Sequence, residues 1–323
     1  MSSKAETFLR RWMLLISMVL GVGVYLFLAL TPGLERLEAR YSAVAKNLQP
    51  FLVGVMLFLQ FNVTAPSDLK LHRWHAKVLG VQAFLFAVFT AVTVLLPAGN
   101  LRILAECAML CFICPTASAC GVITSKIGGD LQQTMAYLLL CDIMSTLLIP
   151  ATVPLVNPQE GVGYFALLWI VTKRVFAMLV LPCALAWLIR FTLPEVQKWL
   201  ARYTGWAFYV WGISLMFALS LATRALKLSS APLWMAVLIG AVALACCLVQ
   251  FALGRFLTRR SGHRISVTAG QTFGQKNTGF LIWLGFNYMT PITSVAGGLY
   301  AICQNLVNSW ELQHYGNRDD KES

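Results

Sequence analysis

Long apolar runs alternate with short polar interruptions along this chain, and the runs have the length a bilayer demands. Ten can be placed, at about 12–31, 47–63, 77–97, 101–126, 131–156, 163–192, 204–226, 232–256, 264–288 and 290–311. Each is near the ~20 residues that cross a hydrocarbon core. Two of them are broken. In the ninth, Gly270-Gln271-Thr272-Phe273-Gly274-Gln275-Lys276-Asn277-Thr278-Gly279 interrupts apolar sequence that resumes at Phe280. Glycines and polar side chains at that depth are tolerated where they line a protein-walled cavity rather than lipid. The fourth run contains Cys114-Pro115-Thr116-Ala117-Ser118-Ala119-Cys120-Gly121. Proline removes a helix donor and clashes with the preceding turn, and the small polar residues after it can cap a new half-helix.

The breaks fall in the fourth run of the first five and the fourth of the last five. An odd number of spans per half inverts the second half relative to the first, and paired broken helices point to an inverted-repeat transporter with its site at the midplane. The plainer alternative is two helices kinked for packing, but Lys276 is hard to place under it. The expectation is a single all-α integral membrane domain over residues 1–323, with ten transmembrane helices as two inverted five-helix repeats. These cover about 11–156 and 163–311, followed by a tail at 312–323, with broken helices 4 and 9 crossing in the core.

Composition agrees. The chain is 58% hydrophobic and 12% charged, where a soluble chain carries about 25% charge, and its mean hydropathy is +0.70. The net charge of +12 does not indicate nucleic acid, because no basic patch with interleaved aromatics is present. Lys and Arg concentrate at the N-terminus, in loops after even-numbered runs and in the tail. By the positive-inside rule, both termini are expected in the cytoplasm. The first run lacks a clear small-residue cleavage site and reads as a retained span. The nine cysteines lie mostly inside apolar runs. Cys111 and Cys114 have CxxC spacing but no second pair, so core packing is the expectation rather than a metal site. No nucleophile–base triad, phosphate loop or metal cluster is visible, so neither an enzyme nor a cofactor is expected.

A half-helix that begins inside the membrane presents free N–H groups and a positive dipole end, and two such ends would cradle an anion. Ser118, Asn277 and Thr278 stand near these starts as donors or as ordinary caps. Lys276 needs a counter-charge or a cavity. Asp142, in Leu140-Cys141-Asp142-Ile143-Met144, is the clearest buried acid, and one reading pairs the two. The other gives each its own surroundings. Arg102 and Glu106 have i, i+4 spacing for an ion pair. Lys173 and Arg174 read as snorkelling cations, with a cavity as their other placement.

These residues carry a resemblance. The chain resembles the bile acid:sodium symporter family, in its bacterial branch, over nearly its whole length. Ala65-Pro66-Ser67-Asp68-Leu69-Lys70 is similar to the family's Pro-Ser-Asp-Phe-Lys-like loop, and Val81-Gln82-Ala83-Phe84 to its third-span glutamine segment. Cys114 to Val122 is similar to Cys-Pro-Gly-Gly-Thr-Ala-Ser-Asn-Val. Ser145-Thr146-Leu147-Leu148-Ile149-Pro150 is similar to its fifth span. Gly274 to Gly279 is similar to Gly-Met-Gln-Asn-Ser-Gly. The resemblance implies a panel of spans 1, 2, 6 and 7, a core of the others, and substrate bound between them. Ser118, Ala119, Asn277 and Thr278, with the span-10 polar pair Gln304 and Asn305, would face substrate.

The departures bear on coupling. The family binds two sodium ions at the crossover. Its span-4 Ser-Asn pair falls on Cys120 and Gly121, its span-9 glutamate on Thr272 and its span-9 glutamine on Lys276, beside Gln275. Gln82 persists. In span 5, one register puts the family ligands at Thr134 and Leu138, and another at Leu138 and Asp142. Repulsion between Lys276 and a sodium ion ~4 Å away would be about 4 kcal/mol at an intermediate dielectric. The resulting expectation is an alternating-access carrier of a small organic anion or amphipathic acid, sodium-independent or proton-coupled. The alternatives are a sodium symporter with a remodelled site and a membrane binding or sensory protein that has lost transport. The substrate, the direction of flux and the oligomeric state are not readable from sequence.

Overall fold

The computed structural model describes residues 3–229 and 232–315. The tail from residue 316 on, with Arg318 and Lys321 of the charge bias, lies outside the described residues. Among the described residues all regular structure is helical, apart from one isolated bridge. In chain order the helices are α1 (Ser3–Leu30), α2 (Glu35–Val63), α3 (Arg73–Leu95), α4 (Asn100–Ile113), α5 (Cys120–Lys126), α6 (Leu131–Val156) and α7 (Tyr164–Leu179). Then come α8 (Leu181–Thr192), α9 (Pro194–Ala201), α10 (Ala207–Leu228), α11 (Leu233–Thr258), α12 (His263–Gly274), α13 (Thr278–Tyr288) and α14 (Ser294–Tyr315). Among the described residues, five helical stretches are long and apolar enough to cross a membrane: α2, α3, α6, α10 and α11, the last two with short 3-10 turns attached. The bent pair α7 and α8 makes a sixth when taken together. That is the make-up of a membrane protein.

Several sequence-based boundaries differ, among them the start of α1 at Ser3 rather than about 12. The apolar pattern starts the second run at 47, but α2 begins at Glu35. Its added turns are polar and are held by one local and one tertiary contact: Glu38 Oε1 accepts from Ser42 Oγ of the same helix at 2.8 Å and from Arg224 Nε of α10 at 2.9 Å. The sixth run reads as continuous over 163–192, whereas α7 and α8 meet at 45°. Pro182, in the first turn of α8, cannot donate to the preceding helix and so turns the axis. The tenth run reads as starting at 290, but a 3-10 turn over Pro291–Thr293 precedes α14.

Two groups of helices can be followed through the packing. In one, α2 is surrounded by α7, α8 and α10, and α1 lies along α10. In the other, α11 packs on α4, α12 and α14, and α3 packs on α4 and α6. α13 touches both groups, through α2 and α10 on one side and α14 on the other. Small residues permit the closest approaches. A Cβ on Gly254 of α11 would stand 2.3 Å from the Ala269 carbonyl oxygen of α12. In a membrane, where helix association rests on such close packing, Gly254→Val is expected to abolish the monodisperse folded peak in fluorescence-detected size exclusion. A wild-type profile would contradict this account of the α11–α12 contact.

At one end, Glu106 of α4 accepts from the Thr290 backbone N–H and hydroxyl, both at 3.1 Å, and lies 3.7 Å from Arg102, forming the expected ion pair. At the other, Asp130 caps α6 through Gln133 N at 3.0 Å and binds Arg264 at 3.1 Å. These buttresses hold the two interrupted stretches, α4 with α5 and α12 with α13, against each other.

Candidate binding site at the helix breaks

The two breaks meet. Between α4 and α5 the chain runs extended through Thr116, and between α12 and α13 it does so through Lys276, and these two residues form an antiparallel bridge. Asn277 N donates to Pro115 O at 2.8 Å and Ala117 N to Gln275 O at 3.0 Å. Both segments lie buried, so every backbone group released by a helix end needs a partner.

Side chains from four other helices supply them. At the end of α4, the Cys111 carbonyl accepts from Gln250 of α11 at 3.3 Å, that of Phe112 from Gln82 of α3 at 2.9 Å and that of Ile113 from Ser145 of α6 at 2.8 Å. At the end of α12, Thr272 O accepts from Thr116 Oγ1 at 2.8 Å and Gly274 O from Tyr300 OH of α14 at 2.7 Å. Lys276 N donates to Gln304 Oε1 at 2.8 Å, and Cys114 Sγ to Asn277 O at 3.0 Å. Each such bond contributes only about 1 kcal/mol net, but an orphaned buried group costs about 1–3 kcal/mol. Tyr300→Phe is therefore expected to lower the melting temperature by several degrees without altering the helical circular dichroism spectrum. An unchanged melting temperature would show that Gly274 O needs no partner.

Most of the sequence-predicted residues gather here. Gln82 also accepts from Tyr137 OH at 2.9 Å. Asn277 caps α13 by accepting from Phe280 N at 3.1 Å, and Thr278 opens that helix. Ser118 and Ala119 precede α5, and Cys120 and Gly121 begin it. Gln275 and Thr272 are buried. Asn305 differs: its amide donates to Ala301 O of its own helix at 2.7 Å and makes no hydrogen bond to the breaks. It stands beside Gln304 in sequence, but the next residue on a helix points elsewhere. The seven-residue α5 is also too short to bring much dipole to a cradle, whereas α13 has eleven residues.

The ion pair between Asp142 and Lys276 is absent. Lys276 is 0% exposed and its Nζ has no hydrogen-bond partner; Asp142 is 1% exposed and neither carboxylate oxygen has one. Both are fully buried, on different elements, but their side chains form no ion pair. Nζ lies 5.2 Å from the centroid of the Phe273 ring. A desolvated cation–π contact supplies about 2 kcal/mol, less than the several kcal/mol that an uncompensated buried ion costs. Gln275 Oε1 is a further buried acceptor without a partner.

Sequence reading missed Gln49 and Ser214. Gln49 of α2 is 0% exposed, its Nε2 is unpartnered, and it would stand 2.6 Å from a Cβ on Gly279. Ser214 of α10 donates to Gln49 Oε1 at 3.4 Å. An unpaired amide donor thus faces the first turn of α13. A glutamine next to Pro50 within the apolar part of α2 was the available signal. Of the adjacent cations on α7, Lys173 lies 5.6 Å from the Trp169 ring centroid, whereas Arg174 lines a cavity. No protein-family model matches the chain, and no curated protein matches it.

Proposed function

We propose that this chain is a secondary transporter of a small organic anion, working by alternating access and related in design to the bile acid:sodium symporters it resembles. On this reading α1, α2, α3, α6, α10, α11 and α14 are single spans, and α4 with α5, α7 with α8, and α12 with α13 are interrupted ones. Together they make ten spans in two inverted repeats, with the termini in the cytoplasm of a bacterial inner membrane. The observation that carries it is the antiparallel meeting of two helix breaks around a buried, unpartnered lysine. Irregular backbone at bilayer depth belongs to binding sites, and nothing about packing alone calls for an ammonium there.

The substrate anion would bind where α2, α10 and α13 converge. The N-terminus of α13 offers its positive dipole end, with the unpartnered Gln49 amide beside it as a donor. On this reading Lys276 takes the region where the resembling family holds sodium, and Asp142, equally buried, is not paired with it. A charged group left without a partner at this depth is costly. Lys276 and Asp142 therefore exchange protons with water when the cavity opens to one side, which couples substrate movement to protons rather than to sodium. The unpartnered buried oxygens of Asp142 and Gln275 favour one second reading, a remodelled sodium site.

The test is uptake of a panel of radiolabelled organic acids into proteoliposomes under a proton gradient. Saturable uptake of one acid that exceeds uptake by protein-free vesicles supports transport. Binding of that acid without flux would instead support a membrane binding protein.

A further inference from the structure

A cavity of about 330 Å³ opens between α2, α7 and α13. Two cations, Lys46 and Arg174, line it with two amides, Asn47 and Asn287, while Trp283 and Phe51 contribute aromatic walls. Arg174 lies ten residues into α7, about 15 Å along the helix axis, and both it and Lys46 are exposed residues at the mouth of the cavity. Among the described residues neither cation forms an ion pair, although five other ion pairs are present. Lys46 Nζ sits 5.8 Å from the centroid of the Phe286 ring. Two unneutralised cations above an aromatic wall match a carboxylate on an apolar body.

One helical turn deeper on the same helix is Gln49, fully buried, with an unpartnered amide beside Gly279 at the start of α13. We infer that the α2–α7–α13 cavity is an outer binding site for the carboxylate of an aromatic organic acid, held by Lys46 and Arg174. Gln49 is the next donor on its way to the α13 N-terminus. The second step rests on the transport reading; the binding site does not.

The shared chemistry here is an anionic head group, which a phospholipid could also supply. The test is equilibrium dialysis of the purified protein in neutral detergent, with radiolabelled 2-naphthoate and its uncharged amide as probes. The carboxylate should bind about tenfold more tightly than the amide, as a charge-assisted hydrogen bond predicts. Lys46→Gln and Arg174→Gln should each weaken 2-naphthoate about tenfold, and Arg174→Lys less. Lys173→Gln, the neighbouring cation outside the cavity, should leave binding unchanged. The carboxylate–amide comparison needs no variant, so it stands even if one misfolds. Equal binding of the two probes, or an unchanged affinity in Arg174→Gln, would overturn the proposal. Loss of 2-naphthoate binding in nanodiscs containing phosphatidylglycerol, with retention in phosphatidylcholine, would also overturn it by assigning the site to lipid. Binding that passes these tests in a protein showing no flux would leave the site standing and remove the transport reading instead.

Discussion

Lys276→Met is expected to give a protein that is more heat-stable than the wild type and nearly inert in transport. The substitution keeps an unbranched side chain of similar length in contact with Phe273 and removes an amine that has no hydrogen-bond partner. Replacing buried ionic groups with well-packed apolar ones is neutral to stabilising by about 1–4 kcal/mol, so the melting temperature should rise. Uptake should fall about a hundredfold or more, equivalent to about 2.7 kcal/mol in the limiting barrier. Opposite signs for stability and activity mark a group retained for function at a cost to the fold. A variant that transports normally would make Lys276 a passive feature of packing. One that loses stability would mean that the ammonium has a partner.

Asp142→Asn carries the second large effect. The substitution preserves shape, so folding should be intact, while the rise in uptake driven by an inward proton gradient should flatten to less than about twofold across pH 5 to 8. Because Asp142 and Lys276 do not touch, the double variant Asp142→Asn, Lys276→Met should show no recovery over the single variants. An ion pair would behave differently, since removing both partners relieves the charge stranded by removing one. Recovery of uptake in the double variant would show that the two side chains meet during the transport cycle.

The helix breaks were legible in the sequence because glycine, proline and polar residues stand out against apolar runs, and each break alone implied irregular backbone. Their meeting was legible only through the placement of the two breaks in the two halves of the chain. The side chains that satisfy them were mostly not. Gln250, Ser145 and Tyr300 come from three different helices, and nothing local distinguishes a glutamine that closes an orphaned carbonyl from one that caps its own turn. Depth along a helix can be counted from sequence, but the facing direction cannot. That is why Asp142 and Lys276 could be read from sequence as a buried acid and a buried base and yet do not pair. It is also why Arg174 and Lys173, adjacent in sequence, part company in the fold: one lines a cavity and the other lies against Trp169. The early start of α2 at Glu35 was hidden because its first turns are held by Arg224, from a helix far along the chain.

In the proposed mechanism Lys276 takes the place of sodium as the coupling element. The direct test is the initial rate of uptake of the best-transported acid into proteoliposomes, with external sodium replaced by potassium at constant membrane potential and constant proton gradient. Coupling through Lys276 predicts the same rate in both salts and a sharp fall when the proton gradient is collapsed. A rate that requires sodium and ignores the proton gradient would contradict it and favour the remodelled sodium site at Asp142 and Gln275.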